Sequence, residues 1–111
     1  VKTIKSWSQD IHRLSLEKGW YDPSNPERTA LEFHMLFVSE IAEATEAVRT
    51  NSPSFFVSDS GKPEGERVEL ADAVIRIMDY FESRGWDLET VMAAKHDYNK
   101  TRPYRHGGKT K

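Results

Sequence analysis

The sequence contains no cysteine in its 111 residues, which excludes disulfides, thiolate metal ligands and a thiol nucleophile together. Hydrophobic residues are scarce at 37%, where about 45–50% is usual. A chain of this length is expected to form one domain, residues 1–111, and a thin core without disulfides needs a metal or a second subunit to complete it. No apolar run approaches the ~20 residues of a membrane helix. The first residues, VKTIKSWSQD, also lack the apolar stretch of a signal peptide. A soluble, cytoplasmic protein without a membrane partner is the expectation. Sixteen basic against eighteen acidic residues give a net charge of −2, so there is no general attraction to nucleic acid, and none is expected as a partner. Neither G-x-x-x-x-G-K-[ST] nor G-x-G-x-x-G occurs, which excludes a P-loop and a Rossmann crevice.

What is present is helical periodicity. Ile4, Trp7, Ile11 and Leu14 make one stripe between Lys2 and Lys18, and Gly19 is placed to stop that helix. Residues 20–28, WYDPSNPER, read as a loop punctuated by Pro23 and Pro26. A second helix is predicted from Thr29 to Arg49. It has two seams, Leu31, Met35, Val38, Ala42 and Thr45 on one and Phe33, Phe37, Ile41, Ala44 and Val48 on the other. Two seams call for neighbours on two sides, within a bundle or across subunits. Residues 51–65 read as a flexible connection in which Phe55, Phe56 and Val57 form a small strand, a docked anchor or a lid. A third helix is predicted from Glu66 to just before Gly85, with Leu70, Val74, Ile77, Met78 and Phe81 opposite Glu69, Asp72, Arg76 and Asp79. A fourth helix is capped by Asp87 and ended by Pro103, and a basic tail follows over 103–111. The predicted fold class is all-α, a four-helix-type bundle.

Glu40 and Glu43 on the second helix, and Glu69 and Asp72 on the third, are i,i+3 pairs that share a face. Spacing alone is weak, because eighteen acidic residues generate roughly three such pairs by chance and solvated helix faces account for most of them. Position argues further. The pairs read as lying away from helix ends, and only Asp72, with Arg76, has a basic residue at i+4. Two carboxylates about 6 Å apart at an effective dielectric constant of about 20 repel by about 3 kcal/mol, so four together need protonation or a cation. All-oxygen ligation suits Mg²⁺, with Mn²⁺ or Ca²⁺ as alternatives. A di-iron site would need Glu-x-x-His, and the residues three before His12, His34, His96 and His106 are Gln9, Leu31, Ala93 and Pro103. Lys95, Asn99 and Arg102, then Arg105, His106 and Lys109 beside Gly107 and Gly108, suit a phosphate chain or else form an exposed helix face and basic tail.

The segments SEIAEATEAVR (39–49), ERVELADAVIRIMDYFESRGWDL (66–88) and KHDYNKTRPYRHGGK (95–109) together resemble the MazG-like, all-α nucleoside triphosphate pyrophosphohydrolases. The signature E-x-x-E, spacer, E-x-x-D is matched by Glu40/Glu43 and Glu69/Asp72. The resemblance implies a homodimer or homotetramer that uses Mg²⁺ to hydrolyse a nucleoside triphosphate to its monophosphate and pyrophosphate, with nucleotide-pool cleansing as the attendant role. It makes Glu40, Glu43, Glu69 and Asp72 the catalytic metal ligands, and Lys95, Asn99, Arg102 and Lys109 the contacts to the nucleotide phosphates. Ser39 departs from the pattern, since many relatives carry a further glutamate there; Glu46 and Glu66 either compensate for it or are solvated surface residues. Trp7, His12, Trp20 and Phe33 either stack on a base or pack in the core, and Asp79 reaches a sugar hydroxyl or faces water. The alternatives are hydrolysis of phosphoribosyl-ATP, which has the same metal chemistry, and a non-catalytic helical interaction or regulatory module.

Overall fold

The computed structural model describes residues 1–104, and among them four helices and one short hairpin are formed. Helix α1 (Ile4–Glu17) starts at a capping box: the Thr3 hydroxyl accepts from the Ser6 amide while Ser6 Oγ accepts from the Thr3 amide. Helix α2 (Ala30–Arg49) starts in the same way with Thr29 and Glu32, a T-x-x-E signature legible in the sequence. Helix α3 spans Glu66–Ser83, and α4 spans Leu88–Lys100 with Asp87 as its N-cap. Helix α4 ends three residues before Pro103, as expected where a proline disfavours helical backbone ahead of it. None of these helices is long and apolar enough to cross a membrane.

The segment expected to be a flexible connection contains an antiparallel hairpin, β1 (Phe56–Val57) with β2 (Pro63–Glu64), in which Phe56 faces Glu64 and Val57 faces Pro63. The turn is closed by Ser58 donating to Lys62 and Gly61 donating to Ser58, each at 2.9 Å. Its base lies against the start of α3 at Gly65. There φ is +114°, and a Cβ would sit 2.5 Å from the Ser54 carbonyl oxygen, so only glycine fits. Arg67 N donates to that same oxygen, which joins the connection to the first turn of α3.

Helix α3 lies between α1 and α2, and α4 packs chiefly on α1, where the Glu89 carboxylate accepts from the Lys5 amide. Buried Ala44 and Ala73 let α2 and α3 approach closely. Tyr80 is 5% exposed and is surrounded by the rings of Phe33, His34, Phe37 and Trp86 at 4.9–5.9 Å. Among the described residues, Tyr80 is the one large apolar side chain that is buried, beside Ala44 and Ala73.

The second seam of α2 supplies Phe33, Phe37 and Ala44 to that core but leaves Ile41 and Val48 exposed, and the first is uncovered, with Leu31 73% exposed and Met35 60%. The apolar face of α3 is treated similarly, with Leu70 and Val74 exposed while the polar stripe of Asp72, Arg76 and Asp79 faces the interior cleft. In α1, Trp7 and Leu14 of the expected stripe are exposed, while Ser8 is buried and His12 reaches Asp79 of α3.

Candidate metal centre

Glu40 stands at the middle of α2, with Glu43 one turn further on, and Glu69 and Asp72 occupy the first half of α3. Buried alanines on both helices, Ala44 and Ala73, let α2 and α3 pack closely enough for the carboxylates to meet. One oxygen each from Glu40, Glu43 and Glu69 lie within 4.8 Å of one another. Asp72 is not in that triad but adjoins it, near enough for the charge of Glu40 to act on it. The expected four-carboxylate cluster is therefore three gathered groups with a fourth alongside. Glu69 also belongs to the first turn of α3, contrary to the expectation that both pairs avoid helix ends. The positive end of the helix dipole favours its charged form.

That stabilisation is not enough. The Glu69 carboxyl is pushed above its ordinary value first by burial, then by the charges of Glu43, Glu40 and Asp72. The Asp72 carboxyl is pushed up by burial and by Glu40, with Arg76 and Lys62 pulling the other way. The site carries less positive charge than its carboxylates call for. Glu40, only 7% exposed, accepts a hydrogen bond from Arg76 Nε at 3.0 Å across the α2–α3 interface. Sequence spacing pairs Arg76 with Asp72, one turn away; the partner found in space is 36 positions distant and left no local signal.

The residues proposed to compensate for Ser39 do not join the triad. Ser39 donates to the Leu36 carbonyl oxygen of its own helix at 2.8 Å, and Glu46 is exposed, with Arg49 at 4.0 Å. Glu66 is half-buried at the start of α3.

Beside the carboxylates, a cleft of about 1100 Å³ runs between the 20–28 loop, α2 and α3. Trp20, Tyr21, Phe33, Asp72, Arg76 and Asp79 are among its walls. Of the four expected stacking candidates, Trp20 and Phe33 line the cleft and Trp7 and His12 do not; Trp7 lies under the Lys2 ammonium at 4.2 Å. Asp79 neither faces bulk water nor is unengaged. Its Oδ1 pairs with His12 Nδ1 at 2.7 Å and its Oδ2 accepts from the Tyr21 hydroxyl at 2.9 Å, fastening α1 and the loop to α3. Burial, followed by the charge of Asp79, pushes the Tyr21 hydroxyl up to about 12, so it remains a donor.

The expected phosphate contacts on α4 are not brought to this cleft within one chain. Lys95, Asn99 and Arg102 are absent from its walls, and the Lys95 and Arg102 cations lie over the ring of Tyr98 at 5.0 and 6.0 Å. Lys109, with Arg105 and His106, lies outside the described residues. Comparison with protein-family models, with curated proteins and with solved structures found no match.

Proposed function

We propose that this chain is a Mg²⁺-dependent nucleoside triphosphate pyrophosphohydrolase of the MazG-like type, converting a (d)NTP to (d)NMP and pyrophosphate. The observation that carries this reading is the meeting of the Glu40, Glu43 and Glu69 oxygens within 4.8 Å between two helices. The raised carboxyls of Glu69 and Asp72 mark a deficit of positive charge, and a donor set made only of carboxylate oxygens fits Mg²⁺ or Mn²⁺. Glu40, Glu43 and Glu69 would hold the ion with Asp72 beside them. When bound, it supplies charge neutralisation and a more acidic water.

The reaction class is attack by water on the α-phosphorus, with cleavage of the bond to the bridging oxygen that leaves with pyrophosphate. The protein's own groups bind and orient. Ionised Asp72, beside the triad and lining the cleft, is able to accept a proton from the attacking water. Trp20 and Phe33 give the cleft aromatic walls, a setting suited to a nucleoside.

The reading includes a homo-oligomer. Leu31, Met35, Val38, Leu70 and Val74 are all exposed. A second copy covering these seams would also allow α4 of one subunit to deliver Lys95, Asn99 and Arg102 to the phosphates held by another. Hydrolysis of a nucleoside triphosphate in ¹⁸O-labelled water tests the chemistry: the label is expected in the monophosphate. Label in pyrophosphate or inorganic phosphate contradicts attack at the α-phosphorus.

A further inference from the structure

Arg76 joins the two halves of the site. Its Nε donates to Glu40 Oε1 at 3.0 Å, while its side chain, 37% exposed, also forms part of the cleft wall. Among the described residues, this is the only hydrogen bond the guanidinium makes. A guanidinium has five N–H donors in a rigid fork, so four remain for an anion in the cleft. Glu40 needs a counter-charge because it is buried, and without a metal Arg76 supplies it. A divalent ion among Glu40, Glu43 and Glu69 would meet the same need and release the arginine.

We propose that Arg76 is an exchangeable counter-ion: it holds Glu40 in the metal-free protein and, once a divalent cation occupies the carboxylates, turns its fork to the polyphosphate chain of the ligand. The metal and the phosphate are then coupled through one side chain, and the anion site is complete only after the cation has bound. This rests on the metal-dependent triphosphate reading above and adds the residue that links its two ligands.

Calorimetric titrations of Mn²⁺ alone, and of inorganic tripolyphosphate at saturating Mn²⁺, test it on the wild type, Arg76→Gln and Arg76→Lys, with no dependence on base preference or turnover. In Arg76→Gln, the Mn²⁺ affinity is expected to be unchanged or higher, because the ion no longer displaces a cation, while tripolyphosphate affinity falls by about fivefold or more. A merely structural arginine would predict the reverse for the metal, since Glu40 would lose its support. Weaker Mn²⁺ binding, or a tripolyphosphate loss below about fivefold, overturns the proposal. If Arg76→Gln does not fold, Arg76→Lys decides by the same criteria, because it keeps the charge but loses the fork. Wild-type protein that binds no Mn²⁺ refutes the metal reading itself and this proposal with it. Wild-type protein that binds Mn²⁺ but not tripolyphosphate refutes the proposal and leaves the metal site standing.

Discussion

The two faces of α2 invert the usual distribution of polarity. Toward α3 it buries Glu40, and away from α3 it exposes Leu31, Met35 and Val38. A soluble monomer buries its leucines and exposes its glutamates, because burying an unpaired charge costs far more than exposing an apolar side chain. The inner face is tolerable because Arg76 pairs with Glu40 and because Glu69 and Asp72 hold their protons more tightly than usual. In the proposed homo-oligomer the outer face would be covered by another copy. The proposed function places its chemistry on the inner face and its assembly on the outer one, and each half of that proposal can be broken separately.

The largest effect is expected on the inner face. Glu69→Gln or Asp72→Asn should lower turnover on the order of 100-fold or more, because each removes charge from the reacting centre at nearly constant volume. Circular dichroism should show unchanged helix content. Activity within tenfold of the wild type would remove these carboxylates from the mechanism.

The outer face is broken by Leu31→Glu with Met35→Glu, which places two charges on the uncovered seam. Light scattering is expected to report a multiple of 12.8 kDa for the wild type and 12.8 kDa for the variant. Wild-type protein that runs as a monomer at micromolar concentration would mean that the seam is simply exposed.

A smaller effect separates the two faces. Saturating Mg²⁺ should raise the melting temperature by about 12 °C, since a ligand that binds only the folded state at 100 times its Kd contributes about 2.7 kcal/mol. Glu69→Gln should lose most of that rise, whereas the outer-face variant should retain it if its subunit stays folded. Equal melting in Mg²⁺ and in EDTA would speak against the metal site.

The smallest effect is in pH. The folded-state values of Glu69 and Asp72 are raised, so the folded chain binds protons more tightly than the unfolded one. Their stabilising contribution to the metal-free protein is fully present below the ordinary carboxylate range and is lost as pH rises through the raised values. A wild-type melting temperature that falls between about pH 4 and about pH 7 relative to that of Glu69→Gln is the expected sign. The opposite slope would show that the repulsion among these groups is already relieved.

What the sequence conveyed follows from the range of each interaction. The helix boundaries and the i,i+3 carboxylate spacing are local patterns, and the four helices form with Glu40, Glu43 and Glu69 brought together; the two seams of α2 are local as well, but what covers them is not, and all of the first and part of the second is exposed. The pairings of Arg76 with Glu40, and of Asp79 with His12 and Tyr21, join positions 36, 67 and 58 residues apart, and no periodicity encodes them. The facing of α3 was equally hidden. A helix with one apolar and one polar side is ordinarily buried by its apolar side, and here the polar side turns inward where Asp79 meets His12 and Tyr21 and Arg76 meets Glu40, against the repulsion between the Glu69 and Asp72 carboxylates and those of α2. The grouping of α4 with the carboxylates came from the chemistry of its side chains, whereas its packing on α1 is a tertiary outcome.

The most direct measurement of the central claim is release of pyrophosphate from a panel of canonical and damaged nucleoside triphosphates, with Mg²⁺ and with EDTA, for the wild type and Glu69→Gln in parallel. The account predicts stoichiometric monophosphate and pyrophosphate from at least one nucleotide, only with the metal and only with the wild type. Turnover that persists in EDTA, or that Glu69→Gln retains in full, would contradict it, as would a wild-type protein that binds Mg²⁺ yet leaves the entire panel intact.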